Sequence, residues 1–351
     1  MIIVLALLVA TIFIGAKYRK KDNIDSYLDK NQTTSIIGVF AIIIFFSHFF
    51  GYTNPVSLNK LDEIASFTTS ALGQLMVVPF MFFSGYGVFE QFKKKEAGYA
   101  KSMPKNRIFK VYLMFLLSWS LFFILSFFLS PKYSVKDYLL SPLGIVSIGN
   151  SNWYVVIILV LYISTYLSIL VGGNKRNSLI INIVLCITLV FIIRKFDVPS
   201  CWWDSIPSYA FGLIYSYNKD KIVTIYKKSN WYRWLFFLFS IALTVLFGVL
   251  NVTYPSDIFY IFMSLSFCLI FASLLCLFVL GNKFVLTLGR YCFWIYILQR
   301  ISMNIFYEVP YVNNQPYLYF VICVIITAVL AFAMDKLFAL VWSKINPKKV
   351  K

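Results

Sequence analysis

The chain has 351 residues, of which 60% are hydrophobic, 19% aromatic and only 13% charged; its mean hydropathy is +0.78. A soluble domain carries about 25% charged residues, so this balance excludes an ordinary globular domain and indicates a polytopic membrane protein. The net charge of +18 would suit a nucleic-acid partner, but the basic residues fall in short segments between apolar runs. Cytoplasmic loops explain that distribution, and no nucleic acid is expected.

The opening MIIVLALLVATIFIGA is apolar from its first residue, and the basic cluster Lys17, Arg19, Lys20 and Lys21 follows it. That order lacks the positive n-region of a secretory signal and predicts a short, uncleaved first helix with its N-terminus outside. A polar linker, Asp22 to Thr34, leads to the run Ser35 to Gly51, which carries the only histidine of the chain, His48. At the helical rise His48 lies about 20 Å from Ser35, in the outer part of a core about 30 Å thick. An external loop, Tyr52 to Leu72, follows, and the chain returns through about Gly73 to Phe92.

The most basic stretch, KKKEAGYAKSMPKNRIFK, fixes the next loop as cytoplasmic. Further spans are predicted at about Ile108 to Leu129, Trp153 to Val171, Leu179 to Ile193, Trp203 to Tyr217, Trp231 to Leu250, Ile258 to Leu280, Phe284 to Phe306 and Tyr317 to Trp342. This threading puts Lys175, Arg176, Lys219, Lys221, Lys227, Lys228, Lys283, Lys344, Lys348, Lys349 and Lys351 on the cytoplasmic side. The outer side receives mainly Lys60, Lys132, Lys136, Arg194 and Lys195. The expected fold is an all-α transmembrane bundle of about ten core helices plus one N-terminal helix. Residues 1–33 form that helix and its linker, 34–343 the membrane domain and 344–351 a basic cytoplasmic tail.

An ionisable group inside a membrane-length apolar run is costly, and imidazole moves protons near neutral pH. His48 is therefore the expected reaction centre, against the plainer reading of a histidine at headgroup level. LGRYCFWIYILQR, Leu288 to Arg300, places Gln299 a little over 20 Å along its span, level with His48, and Tyr296 one turn below on the same face. His48, Tyr296 and Gln299 should form a polar cluster in the outer half of the bundle. Arg290, about 9 Å from the start of that span, should face a cavity or a partner.

Other features are more ambiguous. Phe82 to Gly87 puts small and hydroxyl residues, Ser84 and Tyr86 among them, in mid-span, which serves close helix packing as well as a site. Asn152 and Trp153 open a span where belt residues are usual. Arg107 and Lys110 share a face at a cytoplasmic helix mouth, as a topogenic flank or a phosphate site. The six cysteines lack metal-ligand spacing, and no metal is expected.

The ordered segments IGVFAIIIFFSHF, FFSGYGVF, KNRIFK, NWYVVIILVLY and LGRYCFWIYILQ resemble integral-membrane acyltransferase family 3, which includes many O-acetyltransferases of bacterial surface polysaccharides. The resemblance runs from about Ser35 to Trp342. It implies a multi-pass enzyme of the bacterial cell membrane, with acyl-CoA, most simply acetyl-CoA, as donor. The acceptor would be a hydroxyl of a polysaccharide or lipid-linked glycan.

By the same resemblance His48 is catalytic, Arg107 and Lys110 correspond to a cytoplasmic basic pair, and Tyr296 and Gln299 fall at the Tyr and His of a late-helix motif. The CoA phosphates are then expected at Arg107, Lys110 and Arg290, with Tyr296 and Gln299 orienting the imidazole or donating to the oxyanion, and Ser84, Tyr86, Asn152 and Trp153 as further substrate-binding or orienting residues. Two departures stand out: Ile37 replaces the usual cation eleven positions before the histidine, and Gln299 replaces a frequent histidine. The competing reading is a transporter or flippase of lipid-linked glycans, or a family member without activity.

Overall fold

The computed structural model describes residues 1–53, 59–129 and 132–347. Lys348, Lys349 and Lys351 of the expected basic tail lie outside the described residues. In chain order the helices are α1 Ile2–Ala10, α2 Lys30–Phe50, α3 Lys60–Leu72, α4 Val78–Lys95, α5 Ala97–Met103 and α6 Lys110–Leu125. Next come α7 Val135–Leu140, α8 Trp153–Gly172, α9 Lys175–Ile193, α10 Ile206–Tyr217, α11 Lys219–Lys228 and α12 Asn230–Thr253. The last four are α13 Asp257–Leu277, α14 Lys283–Tyr307, α15 Pro310–Asn313 and α16 Pro316–Ile345.

Among the described residues, eight helical segments are long and apolar enough to cross a membrane. α5 runs through a π-helical turn, Pro104–Phe109, into α6, giving one such segment, Ala97–Leu125. α14 matches them in length with 25 residues but carries Arg290, Gln299, Arg300 and Asn304. The fold is thus an all-α polytopic bundle. Two expected spans come out short: α10 has 12 residues and α1 only nine, about 14 Å at the helical rise against a core of about 30 Å.

Helix starts are set by polar caps just outside the apolar runs. Asp29 accepts from the Gln32 amide and starts α2 five residues before the apolar run at Ser35. Asn174, Ser229, Ser256 and Asn282 cap α9, α12, α13 and α14 in the same way. With its true start at Lys30, α2 carries His48 about 27 Å along its axis rather than about 20 Å.

The basic cluster after α1, together with Gln32 of the polar linker, is built into a clasp. β1, Lys17–Tyr18, pairs antiparallel with β2, Phe278–Val279. The last carbonyls of a helix have no intrahelical partner. At the end of α13, Arg19 supplies one: its Nε donates to Leu275 O (2.8 Å) and its backbone N–H to Leu277 O (2.7 Å). Arg233, fully buried, donates to the Arg19 carbonyl at 2.8 Å. Gln32 closes the clasp by donating to Leu280 O and accepting from Leu280 N.

α2 and α14 run parallel at close quarters. A Cβ on Gly38 would run into α14 backbone, and one on Gly289 into the Thr34 carbonyl; higher up, His48 meets Gln299 and Tyr52 meets Asn304. α4 and α10 cross where Gly85 faces the Tyr209 carbonyl and Gly212 the Phe82 carbonyl. Gly85, next to Ser84, therefore serves close packing, while Gly87 faces open space; Tyr86 points towards Tyr215 and Lys219, at the end of the bundle carrying Lys93 to Lys95. We call that the basic end.

Candidate active site

Parallel packing lets residues one turn apart on each helix form two rungs. Gln299 Nε2 lies 2.9 Å from His48 Nδ1, and Tyr52 Oη donates to Asn304 Oδ1 at 2.7 Å. Gln299 is fully buried, and its Nε2 also donates to the Tyr296 carbonyl at 2.9 Å. A carbonyl only accepts, so it turns the amide nitrogen towards the imidazole, and the neutral ring then keeps its proton on Nε2. The Tyr296 ring stands 6.2 Å from the His48 ring and 5.6 Å from that of Tyr154.

Arg300 lies within electrostatic range of His48 and Tyr296 and beside Tyr52. Sequence reasoning passed over it, although it ends the segment that yielded Gln299. The signal was present: Arg300 follows Gln299 directly and lies four residues after Tyr296, on the shared helical face. Arg290 received that attention instead, and it is exposed rather than turned into the bundle. Gly289 takes the face packed on α2, and one residue further is a rotation of about 100°.

The segment before α8 closes over this cluster. Gly149 O accepts from Asn304 Nδ2 at 3.4 Å. Its φ of 95° suits only glycine, and a Cβ there would press on that same amide. Asn150, Ser151 and Asn152 are all buried. Asn152 Nδ2 donates to Gly144 O at 2.6 Å, so it holds the segment rather than reaching His48; Trp153 packs on Tyr154. Ser151 lies beside Tyr296.

Buried polar atoms almost always find partners, and each one left without costs about 1–3 kcal/mol. Here Asn150 Nδ2, Ser151 Oγ, Tyr296 Oη, Gln299 Oε1 and Arg300 Nε make no well-formed hydrogen bond. Such a concentration around one imidazole marks a place prepared for a ligand. Towards the basic end Tyr296 opens on an apolar cavity of about 150 Å³, lined also by Ile37, Ile44, Phe80, Ser84 and Tyr154. Ile37 and Ile44 span about 10 Å of the α2 axis, so the cavity is elongated along the bundle.

At the basic end Arg107 lies beside Tyr99 and Tyr162. Lys110 Nζ sits 5.6 Å over Phe338 and 5.8 Å over Trp342. Arg107 and Lys30 are both within electrostatic range of Lys110. Three cations from α2, the π-helical turn and α6 thus gather at the basic end, although Lys30 attracts no notice in the sequence.

Membrane-length helices around a half-buried imidazole and its buried amide partner define a polytopic membrane protein with a histidine-centred polar site. Residues 38–336 match the acyltransferase domain of acyltransferase family 3, and the chain belongs to that family. It is a membrane acyltransferase of the kind that does not transfer aminoacyl groups. No curated protein and no solved structure matches the chain. The family match takes in every site residue named from the sequence, leaves out Lys30, and begins one position after Ile37.

Proposed function

We propose that the protein is an O-acyltransferase of the bacterial cell membrane. It moves an acyl group, most simply acetyl, from acyl-CoA at the basic, cytoplasmic end to a sugar hydroxyl of a surface polysaccharide or lipid-linked glycan at the other end. The N-terminus then lies outside and the C-terminus in the cytoplasm. The observation that carries this reading is the His48–Gln299 contact at the head of the elongated apolar cavity.

Lys30, Arg107 and Lys110 receive the CoA phosphates, and the thioester arm follows the apolar cavity to Tyr296. In direct transfer, the acceptor oxygen gives its proton to His48 Nε2 as it attacks the thioester carbonyl. The C–S bond breaks and the CoA sulfur takes the proton from the imidazolium. In the two-step variant His48 first takes the acyl group itself and then passes it to the hydroxyl. Arg300 and the Tyr296 hydroxyl answer the charge on the oxyanion.

Either route needs a lone pair on Nε2, hence a proton on Nδ1. Gln299 can serve that tautomer as well, by turning its amide so that Oε1 accepts from Nδ1. An amide partners both forms of the ring, which a second histidine would do only by changing its own protonation.

The test is transfer of radiolabel from acetyl-CoA into surface polysaccharide, in membranes holding wild type or His48→Ala at equal levels. Label with the wild type and none with the variant is expected. Equal labelling removes His48 from the chemistry; silence from the wild type across longer acyl donors as well would overturn the acyl-CoA reading.

A further inference from the structure

A second cavity, of about 620 Å³, lies at the end of the bundle away from the basic residues. It is formed where three connections meet: the turn between α3 and α4, the turn before α10 and the loop between α12 and α13. The last two are fastened together by Arg194, which pairs with Asp257 at 2.7 Å and stands 4.7 Å over the Trp203 ring. Its volume falls within the range of about 300–1,000 Å³ usual for small-molecule sites.

Its wall is polar and incompletely bonded. Asp204 is only 4% exposed, and its Oδ1 has no well-formed hydrogen bond; Gln74 Oε1, on the turn before α4, and Tyr260 Oη, in the first turn of α13, are in the same state. Asn251 and Asp257 stand on the rim with Trp203. All the bare oxygens can accept, so the missing partner is a group that brings several hydrogen-bond donors. Arg194 already balances Asp257. Burial pushes the Asp204 carboxyl, in the turn outside α10, up to about 7, so near neutral pH it also donates. A ligand with uncharged hydroxyls and some apolar surface for the Trp203 side meets these demands.

The cavity adjoins the reaction centre. Cys201, beside its lining residue Ser200, is within electrostatic range of Tyr296, and Gln74 lies three residues before Val77, which lines the apolar cavity.

We infer that this cavity binds an uncharged saccharide segment of the acceptor, next to the sugar whose hydroxyl is acylated. The inference rests on the acyltransfer reading above and adds where the acceptor is held. Asp204 and Tyr260 are then acceptor-binding residues with no part in bond making.

The experiment uses the full chain in lipid nanodiscs, with de-O-acylated surface polysaccharide from the host cell as probe. Wild type, Asp204→Asn and Tyr260→Phe are compared for binding of fluorescently labelled polysaccharide, and for transfer with each substrate varied in turn. Losing one such hydrogen bond should raise the KM for polysaccharide on the order of tenfold. The KM for acetyl-CoA should stay within about twofold, and binding should weaken in parallel. Polysaccharide binding that is absent in the wild type, or equal in all three proteins, overturns the site. Calcium that stabilises the wild type but not Asp204→Asn also overturns it, assigning a cation instead. Binding that weakens in the variants while no protein transfers label supports the site and counts against the acyltransfer reading alone.

Discussion

Two helix pairs in this bundle are built on the same device and end differently. α2 and α14 approach through Gly38 and Gly289, and α4 and α10 through Gly85 and Gly212; each pair then leads to a buried polar cluster. Beside α4 and α10 that cluster is largely paired: Glu90 accepts from Lys93 at 2.6 Å and from Ser216 Oγ at 2.8 Å, and Lys93 also reaches the Ser216 carbonyl. Beside α2 and α14, by contrast, Tyr296 Oη, Gln299 Oε1 and Arg300 Nε make no well-formed hydrogen bond. Small residues bring membrane helices together in both places. What separates a strut from a site is whether the polar atoms further along the same helices satisfy each other.

Substitutions should divide along that line. The largest effect belongs to His48→Ala, which should lower acyl transfer at least a hundredfold, the lower end of general acid–base contributions. Expression and the thermal unfolding midpoint should stay near wild type; a variant that fails to fold would make His48 part of the scaffold.

Glu90→Ala should do the reverse. Removing one partner of this mostly buried cluster leaves the lysines uncompensated and costs on the order of 2–3 kcal/mol of stability. Thermal unfolding in detergent would show it. The KM for acetyl-CoA measured well below the transition should not move.

Gln299 offers a finer distinction. Ionised, Gln299→Glu can only accept, so it holds the proton on Nδ1 and frees Nε2, whereas Gln299→Leu supports neither tautomer. If Nε2 is the working atom, the Glu variant should be the more active of the two by roughly tenfold. The opposite order in initial rates would assign the working role to the other tautomer.

The smallest structural effect should come from Tyr296→Phe. The hydroxyl lacks a well-formed hydrogen bond, so its loss should leave stability unchanged or raise it by up to about 1 kcal/mol. Transfer should still slow. A clear drop in melting temperature would show that this oxygen belongs to the scaffold.

The sequence made part of this legible and hid the rest for physical reasons. Within one helix, depth follows from residue count, so placing His48 level with Gln299 needed only the two span starts. The start of α2 came out five residues late because hydropathy registers apolar runs, while Asp29 caps a turn made of polar residues. Which way a charged residue faces needs the partner helix as well, and so attention went to Arg290 and not Arg300. The clasp could not be foreseen, because it joins Arg19 to carbonyls 256 residues away and depends on a helix end that had first to be placed. The cavity around Asp204 draws on three connections distant in sequence, each of which alone looks like an ordinary loop. The short α10 was overestimated because its apolar character extends through Trp202 and Trp203, which lie before the helix begins.

The position of His48 on α2 also acts as a ruler. Lys30 and His48 sit about 27 Å apart along one helix, and a donor held by its phosphates among Lys30, Arg107 and Lys110 must present its acyl carbon at the far end. A donor with phosphate and acyl group directly joined, such as acetyl phosphate, is too short to occupy both marks at once. The enzyme would then select its donor partly by length, with no contact dedicated to rejecting the small, reactive acyl phosphates.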